Sequence, residues 1–336
     1  MFIREIGSEF WDFPQTDKDN KVFPESTQWF LSGRSALQAI IKELKECHTI
    51  AMPSWCCDSM VKPFVDAGLE VRFYPVLYTQ DQGVVQVIDT NCDVLFLMDY
   101  FGYTSRYKVS HPCIIRDVTH SIFSHSYDDA QFQFGSLRKW CGIWTGGYVW
   151  TKDGHKFITK NEDDRGYIIL RQIAMEKKSI YINRGSDKMG RAAKDKSYLE
   201  VYAHAEELLE TCGISKAAER DIYFAKKLDV DFIKSRHREN AKVLMEAFQD
   251  WLLYPDLSDS DCPMFVPVTV PNGKRDALRK YLIKHQIYCP IHWPVSSYHN
   301  LDKDAESLYK NELSLVCDQR YTEEDMYRMV ETIKRF

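Results

Sequence analysis

Segments of strand and helix character alternate from residue 28 to about residue 100, and this alternation constrains the fold more than any other feature. Short apolar runs predict buried strands at 48–53 (HTIAMP), 69–76 (LEVRFYPV), 93–100 (DVLFLMDY) and 113–117 (CIIRD). Helical spacing of apolar residues predicts a helix over 34–46, and a second helix over 56–67 ends at Gly68. Buried strands joined by helices form parallel sheets, so we predict an α/β fold with a mainly parallel sheet.

The later parts of the chain change in character. Residues 130–136 and 146–152 predict a β pair, and residues 153 to about 250 are polar and helical. In the last hundred residues, apolar runs predict strands at 264–270, 287–293 and 312–317, with a helix over 274–285. Thr322 and Asp325 stand at N-cap and N3 positions of a final helix. We predict an N-terminal arm (1–27), a large domain (28–240) and a small C-terminal α+β domain (241–336).

Charge and hydropathy exclude several classes of protein. The net charge of −5 gives no basic field for nucleic acid or an anionic membrane. The apolar runs are strand-sized, too short to span a bilayer, and the N-terminus lacks the order of a secretion signal. We therefore expect a soluble, cytoplasmic protein with neither a membrane nor a nucleic acid as partner.

The ten cysteines are scattered, and none forms a CxxC pair. Reduced and mostly buried thiols are therefore the expectation, and no metal site is predicted. A nucleophilic pair of Cys113 and His120 is rejected, because Cys113 begins a buried strand where a thiolate is disfavoured. His111, His120 and His125 do not stand at metal-ligand spacing.

Four polar features follow one another in an order that has a chemical meaning. Ser32-Gly33-Arg34-Ser35 begins a helix, where free N–H groups favour an anion, although a plain N-cap accounts for it equally simply. Asp117 ends a predicted strand, where ligands of α/β sheets bind; capping of the next turn is the alternative.

Lys139 and a glycine pair complete the order. Phe134 and Trp140 flank Lys139 and could desolvate it, which would lower the pKa of the amine and make it a nucleophile. An ordinary surface lysine is the alternative. Gly146-Gly147 permits a close approach of the backbone to a ligand or to a neighbouring segment. Pyridoxal 5'-phosphate needs these parts: a phosphate cradle, an acid for its ring nitrogen and a lysine for its aldehyde.

With these residues, the chain resembles the DegT/DnrJ/EryC1/StrS aminotransferases, fold type I pyridoxal-phosphate enzymes that act on nucleotide-linked keto sugars. The matching segments are SGRSAL (32–37), MPSWCCDSMVKPFVDAGLEVRFYPV (52–76), DYFGY (99–103), IIRDVTHS (114–121), SLRKWCGIWTGG (136–147), and more loosely IHWPV (291–295) and SLVCDQRYTEEDM (314–326). The resemblance implies a three-layer α/β/α large domain and a homodimer whose active sites are shared between subunits.

The resemblance also implies roles for individual residues. Lys139 would form the imine with the cofactor and Asp117 would pair with the pyridinium nitrogen, with His120 near the ring hydroxyl. The phosphate would be surrounded by Gly33, Arg34, Ser35 and Ser136.

Other positions are matched with alternatives. The slot of the aromatic residue that usually stacks on the cofactor ring is occupied by Cys57, so either this thiol or Trp55 would cover the ring. His292 and Arg320 are suggested for the substrate mouth. Asn183 is suggested for the asparagine that the partner subunit lends to the phosphate.

The function implied by the resemblance is transfer of an amino group, from L-glutamate, to a nucleotide-linked keto sugar in polysaccharide or secondary-metabolite biosynthesis. One alternative is a sugar dehydratase or another lyase with the same cofactor. Against it, position 139 is a lysine, where the dehydrating branch tends to carry histidine. A catalytically silent relative that acts as a pathway subunit is the other alternative.

Overall fold

The computed structural model describes residues 4–79, 81–104, 109–124, 130–160, 164–184, 196–299, 301 and 303–336. His125 lies outside these described residues. No helix in the described ranges is long and apolar enough to cross a membrane.

The main sheet has seven strands in the order β2-β10-β9-β8-β7-β3-β4. Its strands are β2 (Gln28–Phe30), β3 (Thr49–Pro53), β4 (Glu70–Tyr74), β7 (Val94–Met98), β8 (Ile114–Asp117), β9 (Phe132–Ser136) and β10 (Gly147–Thr151). Neighbouring strands from β9 to β4 are parallel, whereas β10 is antiparallel to both β9 and β2. The prediction of an α/β fold with a mainly parallel sheet is confirmed. The carboxyl ends of six strands therefore meet at one edge of the sheet.

Helices α1 (Gly33–Ile41) and α2 (Asp58–Asp66) pack against one face of this sheet. Their apolar residues, such as Leu37 and Phe64, join a large core with Ile50 and Phe96 from the central strands. Burial of these large side chains contributes about 1.5–3 kcal/mol each, so this core holds the helix starts in place. Helix α1 is shorter than predicted, because residues 42–46 form turns.

A long helical pair follows the sheet. It consists of α3 (Arg165–Arg184) and α4 (Tyr198–Thr211), and α5 (Glu219–Lys227) and α6 (Val230–Ala247) come after it. Helix α6 contributes Ile233 to a core under the end of the main sheet and Leu244 to a second core. The predicted boundary at 240/241 lies inside this helix and stays a prediction.

The second core belongs to the C-terminal part of the chain. This part of the chain contains β11 (Phe265–Thr269), α7 (Arg275–Lys284), β12 (Ile287–Tyr288), α8 (Lys303–Asn311), β13 (Glu312–Val316) and α9 (Glu323–Lys334). Strands β11 and β13 are antiparallel, and α9 begins with the predicted capping box of Thr322 and Asp325.

Two strand predictions were wrong in extent. The run 69–76 divides at Pro75: β4 belongs to the main sheet, whereas β5 (Val76–Thr79) forms a separate hairpin with β6 (Gly83–Gln86). The run 287–293 forms a strand only at Ile287–Tyr288, which pairs with β1 (Ile6–Gly7) of the N-terminal arm. The remaining residues of that run, including His292, are in a loop and reach the site described next.

Candidate active site

The predicted acid lies at the carboxyl end of the central strand β8. Asp117 is 1 % exposed, and its Oδ1 accepts a hydrogen bond of 2.8 Å from the backbone N–H of Thr119. Its Oδ2 is buried without a partner among the described residues. Burial raises the pKa of this carboxyl to about 6, although Thr119 acts in the opposite direction. A buried oxygen in this state would be satisfied by a ligand that carries a proton or a positive charge.

His120 lies three residues further along and is also buried. Its Nδ1 has no hydrogen-bond partner in the described part of the chain. Burial, followed by the charges of His292 and Lys139, lowers the pKa of the imidazole well below its usual value, so the ring is neutral. Two unpartnered polar atoms thus lie within four residues of one strand end.

Lys139 ends a single 3-10 turn (Leu137–Lys139) that follows the neighbouring strand β9. Phe134 in β9 is paired with Asp117 in β8, so the acid and the lysine leave adjacent strands at the same edge of the sheet. The prediction that Lys139 is desolvated is wrong for the single chain: Phe134 and Trp140 are buried, but Lys139 is exposed. The side chains of Phe134 and Trp140 pack into the core, whereas the Lys139 side chain points away from it.

Lys139 lines a cavity of about 580 Å³. Its lining includes Cys57, Thr119, His120, His292 and Trp293. Asp117 itself does not line the cavity; it is buried two residues before Thr119. Trp293 stacks on His120, with 5.6 Å between the ring centroids and an interplanar angle of 22°. Trp293 was not singled out as a site residue, because the run 287–293 was predicted to be a strand, whereas the structure has a loop after Tyr288; the short sequence His-Trp-Pro was the only signal.

The two candidates for the ring-covering residue differ in position. Cys57 lines the cavity at the start of α2, and its Sγ is 3.2 Å from Ser59 Oγ. Trp55 is fully buried: it stacks on Tyr100 and donates a hydrogen bond of 2.6 Å to the carbonyl of His292. In this arrangement Trp55 supports the cavity wall from behind, and Cys57 is the one that faces the cavity.

The predicted phosphate residues lie together at the start of α1. A Cβ on Gly33 would be 3.3 Å from Ser136 Cβ, so the helix start and the turn before Lys139 adjoin. Ser32 caps the helix by accepting from the backbone N–H of Ser35, whose hydroxyl donates to the Gly213 carbonyl at 2.9 Å. Both the hydroxyl and the backbone N–H of Ser35 are therefore engaged within the protein, which leaves the backbone of Gly33 and Arg34 as the groups for an anion.

The glycine pair has the predicted close approach to neighbouring chain. A Cβ on Gly147 would lie 2.0 Å from the carbonyl oxygen of Ser32. The preceding Gly146 has a φ of +134°, a backbone conformation that residues with a Cβ rarely adopt. These glycines allow β10 to pass directly beside the start of α1. Arg34 is half-buried there, with its Nη1 4.0 Å from Glu210 Oε1.

The three weaker substrate candidates have different surroundings. His292 lines the cavity, and its ring is buried between the rings of Phe101, Phe265 and His120. The distance between ring centroids is 5.2 Å in each case. Arg320 also lines the cavity, but each of its guanidinium nitrogens donates to the protein: to Asp318 and to the carbonyls of Ser8 and Glu9. Asn183 lies in a separate depression, away from Lys139.

The wall beside Lys139 is rich in charge. Its basic residues are Arg138, Arg171, Arg279 and Arg320, and its acidic residues are Glu9, Glu206 and Asp318. Arg138 donates to Glu206 at 2.6 Å and to the hydroxyl of Tyr167, which connects the turn of Lys139 to α3 and α4. With Lys139 included, basic side chains outnumber acidic ones, so the cavity favours an anionic ligand.

The described residues contain no group of three or more side chains that could hold a metal ion. All ten cysteines are free thiols, and six of them are buried. Among the buried polar atoms that lack partners in the described residues are Asp117 Oδ2 and His120 Nδ1, which suit an organic ligand with a protonated ring nitrogen and a hydroxyl.

No protein-family model matches this sequence, and no curated protein sequence matches it. Many solved structures match the fold. PseC of Helicobacter pylori, an aminotransferase in pseudaminic acid biosynthesis, has a TM-score of 0.60 at 15 % identity, covering 98 % of this chain and 99 % of its own. A DegT DnrJ EryC1 StrS aminotransferase from Brucella abortus has a TM-score of 0.54 at 14 % identity, with 92 % and 85 % covered.

A third similar structure is Spr1654 of Streptococcus pneumoniae in its PLP form. Its TM-score is 0.56 at 15 % identity, and the alignment covers 92 % of this chain and 86 % of that one. These similarities extend over nearly the whole chain and confirm the expected fold, that of the sugar aminotransferases named above.

Proposed function

We propose that the protein is a pyridoxal-phosphate-dependent aminotransferase that acts on a sugar. The observation that carries this proposal is the meeting of three groups at one sheet edge. They are the unpartnered Oδ2 of Asp117, the unpartnered Nδ1 of His120, and the exposed amine of Lys139. The fold shared with sugar aminotransferases supports the same conclusion.

The residues present fit pyridoxal phosphate. Asp117 would hold the ring nitrogen, His120 the ring hydroxyl side and Lys139 the aldehyde. The N-terminus of α1 with Gly33, Arg34 and Ser35, together with Ser136, would hold the phosphate, because free helix N–H groups bind anions. When bound, the cofactor supplies an aldehyde that condenses with amines and a ring that withdraws electrons.

The protein's own groups would do the remaining work. Asp117, buried at 1 % exposure, keeps a proton on the ring nitrogen because its carboxylate would otherwise be an unpaired buried charge. Once released from the aldehyde, the Lys139 amine removes a proton from the donor amino acid and returns one to the accepting carbon. Thr119, His120 and Trp293 line the same cavity as this amine.

The finer identity of the substrates is part of the proposal. The donor is L-glutamate, and the acceptor is a keto sugar linked to a nucleotide, in polysaccharide or secondary-metabolite biosynthesis. The excess of basic side chains around the cavity supports an anionic acceptor such as a sugar nucleotide. We place the enzyme in the cytoplasm, where such substrates occur.

A homodimer with shared active sites is also proposed. Ile169, Ile173 and Ile180 lie on one side of α3 and are 54 %, 38 % and 46 % exposed. Leu208 on the adjoining α4 is 37 % exposed. Such a cluster on a helical pair supports a protein interface beside the turn of Lys139. In the dimer, Asn183 would be lent to the partner's phosphate.

The assignment of Lys139 is tested by trapping. We expect borohydride reduction of the protein with pyridoxal phosphate to fix the cofactor on Lys139, as located by mass mapping. Lys139→Ala should lose this adduct and roughly 10²–10⁴-fold of the transfer of amino groups from L-glutamate. Lys45→Ala, an exposed lysine on the turns after α1, is the matched control and should retain both.

An adduct on another lysine, or full activity of Lys139→Ala, would overturn the assignment. Adduct formation without amino transfer would favour the dehydratase or lyase. Failure of the wild-type protein to bind the cofactor at all would favour a catalytically silent pathway subunit.

A further inference from the structure

A buried chain of hydrogen bonds runs from strand β13 to the His292 ring. Ser314 Oγ is 2.5 Å from Glu312 Oε1 and 2.8 Å from His292 Nδ1. Glu312 Oε2 accepts the backbone N–H of His292 at 2.7 Å. Glu312 and Ser314 are two residues apart and therefore share one face of the strand, and both are at most 1 % exposed.

The backbone fixes both ends of this chain. Ser314 N–H donates to the carbonyl of Pro290 at 3.0 Å, which holds β13 beside the loop that carries His292. On the other side, the carbonyl of His292 accepts from Trp55, which follows β3 of the main sheet. The ring is thereby positioned from both cores. The His292 ring lines the cavity of Lys139, and Nε2, to which no described residue hydrogen-bonds, is the ring nitrogen left for a ligand there.

The direction of each hydrogen bond follows from counting hydrogens. Glu312 Oε2 must accept, because it faces a backbone N–H. When Glu312 is ionised, Oε1 also accepts, so the single Ser314 hydrogen points to it. Ser314 Oγ must then accept from Nδ1–H of His292, which leaves a lone pair on Nε2.

Protonation of Glu312 reverses both hydrogen bonds of the Ser314 hydroxyl, whereas Glu312 Oε2 still accepts from the backbone N–H of His292. The added hydrogen can lie only on Oε1, which then donates to Ser314. The Ser314 hydroxyl turns to His292 Nδ1, and the hydrogen of the neutral imidazole moves to Nε2. The atom that faces the cavity changes from an acceptor to a donor without any change in the charge of the ring.

We propose that Glu312 and Ser314 are positioning residues that determine which hydrogen His292 presents to a ligand in the Lys139 cavity. The chain is an arrangement of this protein's own residues and needs no cofactor to operate. Its use on a sugar substrate rests on the proposed function.

The charges around the chain are compatible with this role. Burial raises the pKa of Glu312 to about 8, and Arg275 on α7 partly opposes this. Burial and the Lys139 charge lower the pKa of His292 to about 3, so the imidazole stays neutral while Glu312 titrates. His120 and Cys289 are the other titratable groups that interact with His292 and Glu312.

The tautomer can be measured directly on the full chain without cofactor. We expect long-range proton–nitrogen NMR of histidine-labelled protein to show His292 with hydrogen on Nε2 at low pH and on Nδ1 above the pKa of Glu312. The signals are assigned by their loss in His292→Gln. Ser314→Ala should lose the transition, and Ser314→Thr, which keeps the hydroxyl, should retain it.

Glu312→Gln is the decisive variant. Its amide oxygen must accept the His292 N–H, so its NH₂ group donates to Ser314, as the protonated carboxyl does. His292 should then hold its hydrogen on Nε2 at every pH. Glu306→Gln, an exposed carboxyl on α8, is the matched control and should keep the wild-type transition.

A His292 tautomer that does not change with pH in the wild type, or that still changes in Glu312→Gln, would overturn the proposal. Should these variants fail to fold, Ser314→Thr against Ser314→Ala gives the same decision. With cofactor and substrates, the pH profile of kcat/KM should have a step that Glu312→Gln loses and Glu306→Gln retains. If the tautomer changes with pH as expected but the protein does not bind the cofactor, the proposed function is contradicted and the role of Glu312 and Ser314 stands.

Discussion

At the scale of single residues, the site depends on Asp117, whose ionised carboxylate is destabilised by burial when no ligand is bound. Asp117 has one oxygen paired and one without a partner, and burial raises its pKa from 3.8 to about 6. A folded-state pKa above the unfolded one means that the folded state binds the proton more tightly. Stability without ligand should therefore fall as the pH rises from about 4 to 6, and stay lower above that.

Asp117→Asn should separate stability from binding. Without cofactor, we expect the free energy of unfolding of this variant to rise by about 2–3 kcal/mol relative to that of the wild type between pH 4 and pH 8, since the amide does not ionise. It should also gain less stability than the wild type when pyridoxal phosphate is added. Urea unfolding across this pH range measures both effects, with Asp304→Asn as an exposed control. An equal response of the two proteins to pH would show that Asp117 ionises normally.

The sequence predicts these residues unevenly. Asp117, Ser136 and Lys139 could be assigned to one sheet edge from the sequence, because strands leave clear apolar patterns and ligands of α/β sheets bind at the carboxyl ends of strands. The exposure of Lys139 was not predicted, because a 3-10 turn of three residues has no periodicity that shows which side chain faces inward. Trp293 and Glu312 were missed because loop geometry and a buried β13 bring them to the site.

At the scale of elements, the N-terminal arm connects both cores and forms part of the cavity wall. Gly7, Ser8, Glu9 and Phe10 line the cavity, and β1 pairs with β12. Glu5 is 1 % exposed and forms ion pairs with Lys178 on α3 and with Lys196. The arm is therefore attached at the same place to the helical pair and to the C-terminal part.

Loss of the Glu5 carboxylate should release this arm. Glu5→Ala leaves the fully buried Lys178 without its anion, so we expect a loss of about 3–5 kcal/mol in the free energy of unfolding. Burial lowers the pKa of Lys178 to about 6, so this loss should be largest below pH 6, where the amine is charged, and smaller above it. Denaturant unfolding at several pH values tests this; Glu25→Ala changes an exposed carboxylate of the same arm and should have little effect.

At the scale of the whole molecule, the α/β fold follows from local patterns, whereas the completed site depends on contacts across the chain. The strand segments and the helix starts could be predicted because burial and helical spacing are local, whereas the order of the strands in the sheet could not. The pairing of β1 with β12 could not, because two-residue strands carry no pattern.

The apolar side of α3 should determine the oligomeric state. We expect Ile173→Asp to convert a homodimer to a monomer in light scattering, because a buried charge at an interface lacks a partner. Ile158→Asp changes an isoleucine that is 91 % exposed outside this helix and serves as the control. A dimer that withstands Ile173→Asp would show that the interface lies elsewhere.

The hydrogen bond between the backbone N–H of Gly7 and the Tyr321 hydroxyl joins residues 314 positions apart. A ribosome that adds 5–20 residues per second needs roughly 15–60 s to make the second partner after the first. The backbone from Gly7 to Phe10, which lines the cavity, therefore meets this partner long after it meets Tyr202, whose hydroxyl donates to the carbonyl of Phe10. This wall of the cavity thus becomes complete only through a contact that forms well after its own residues are made.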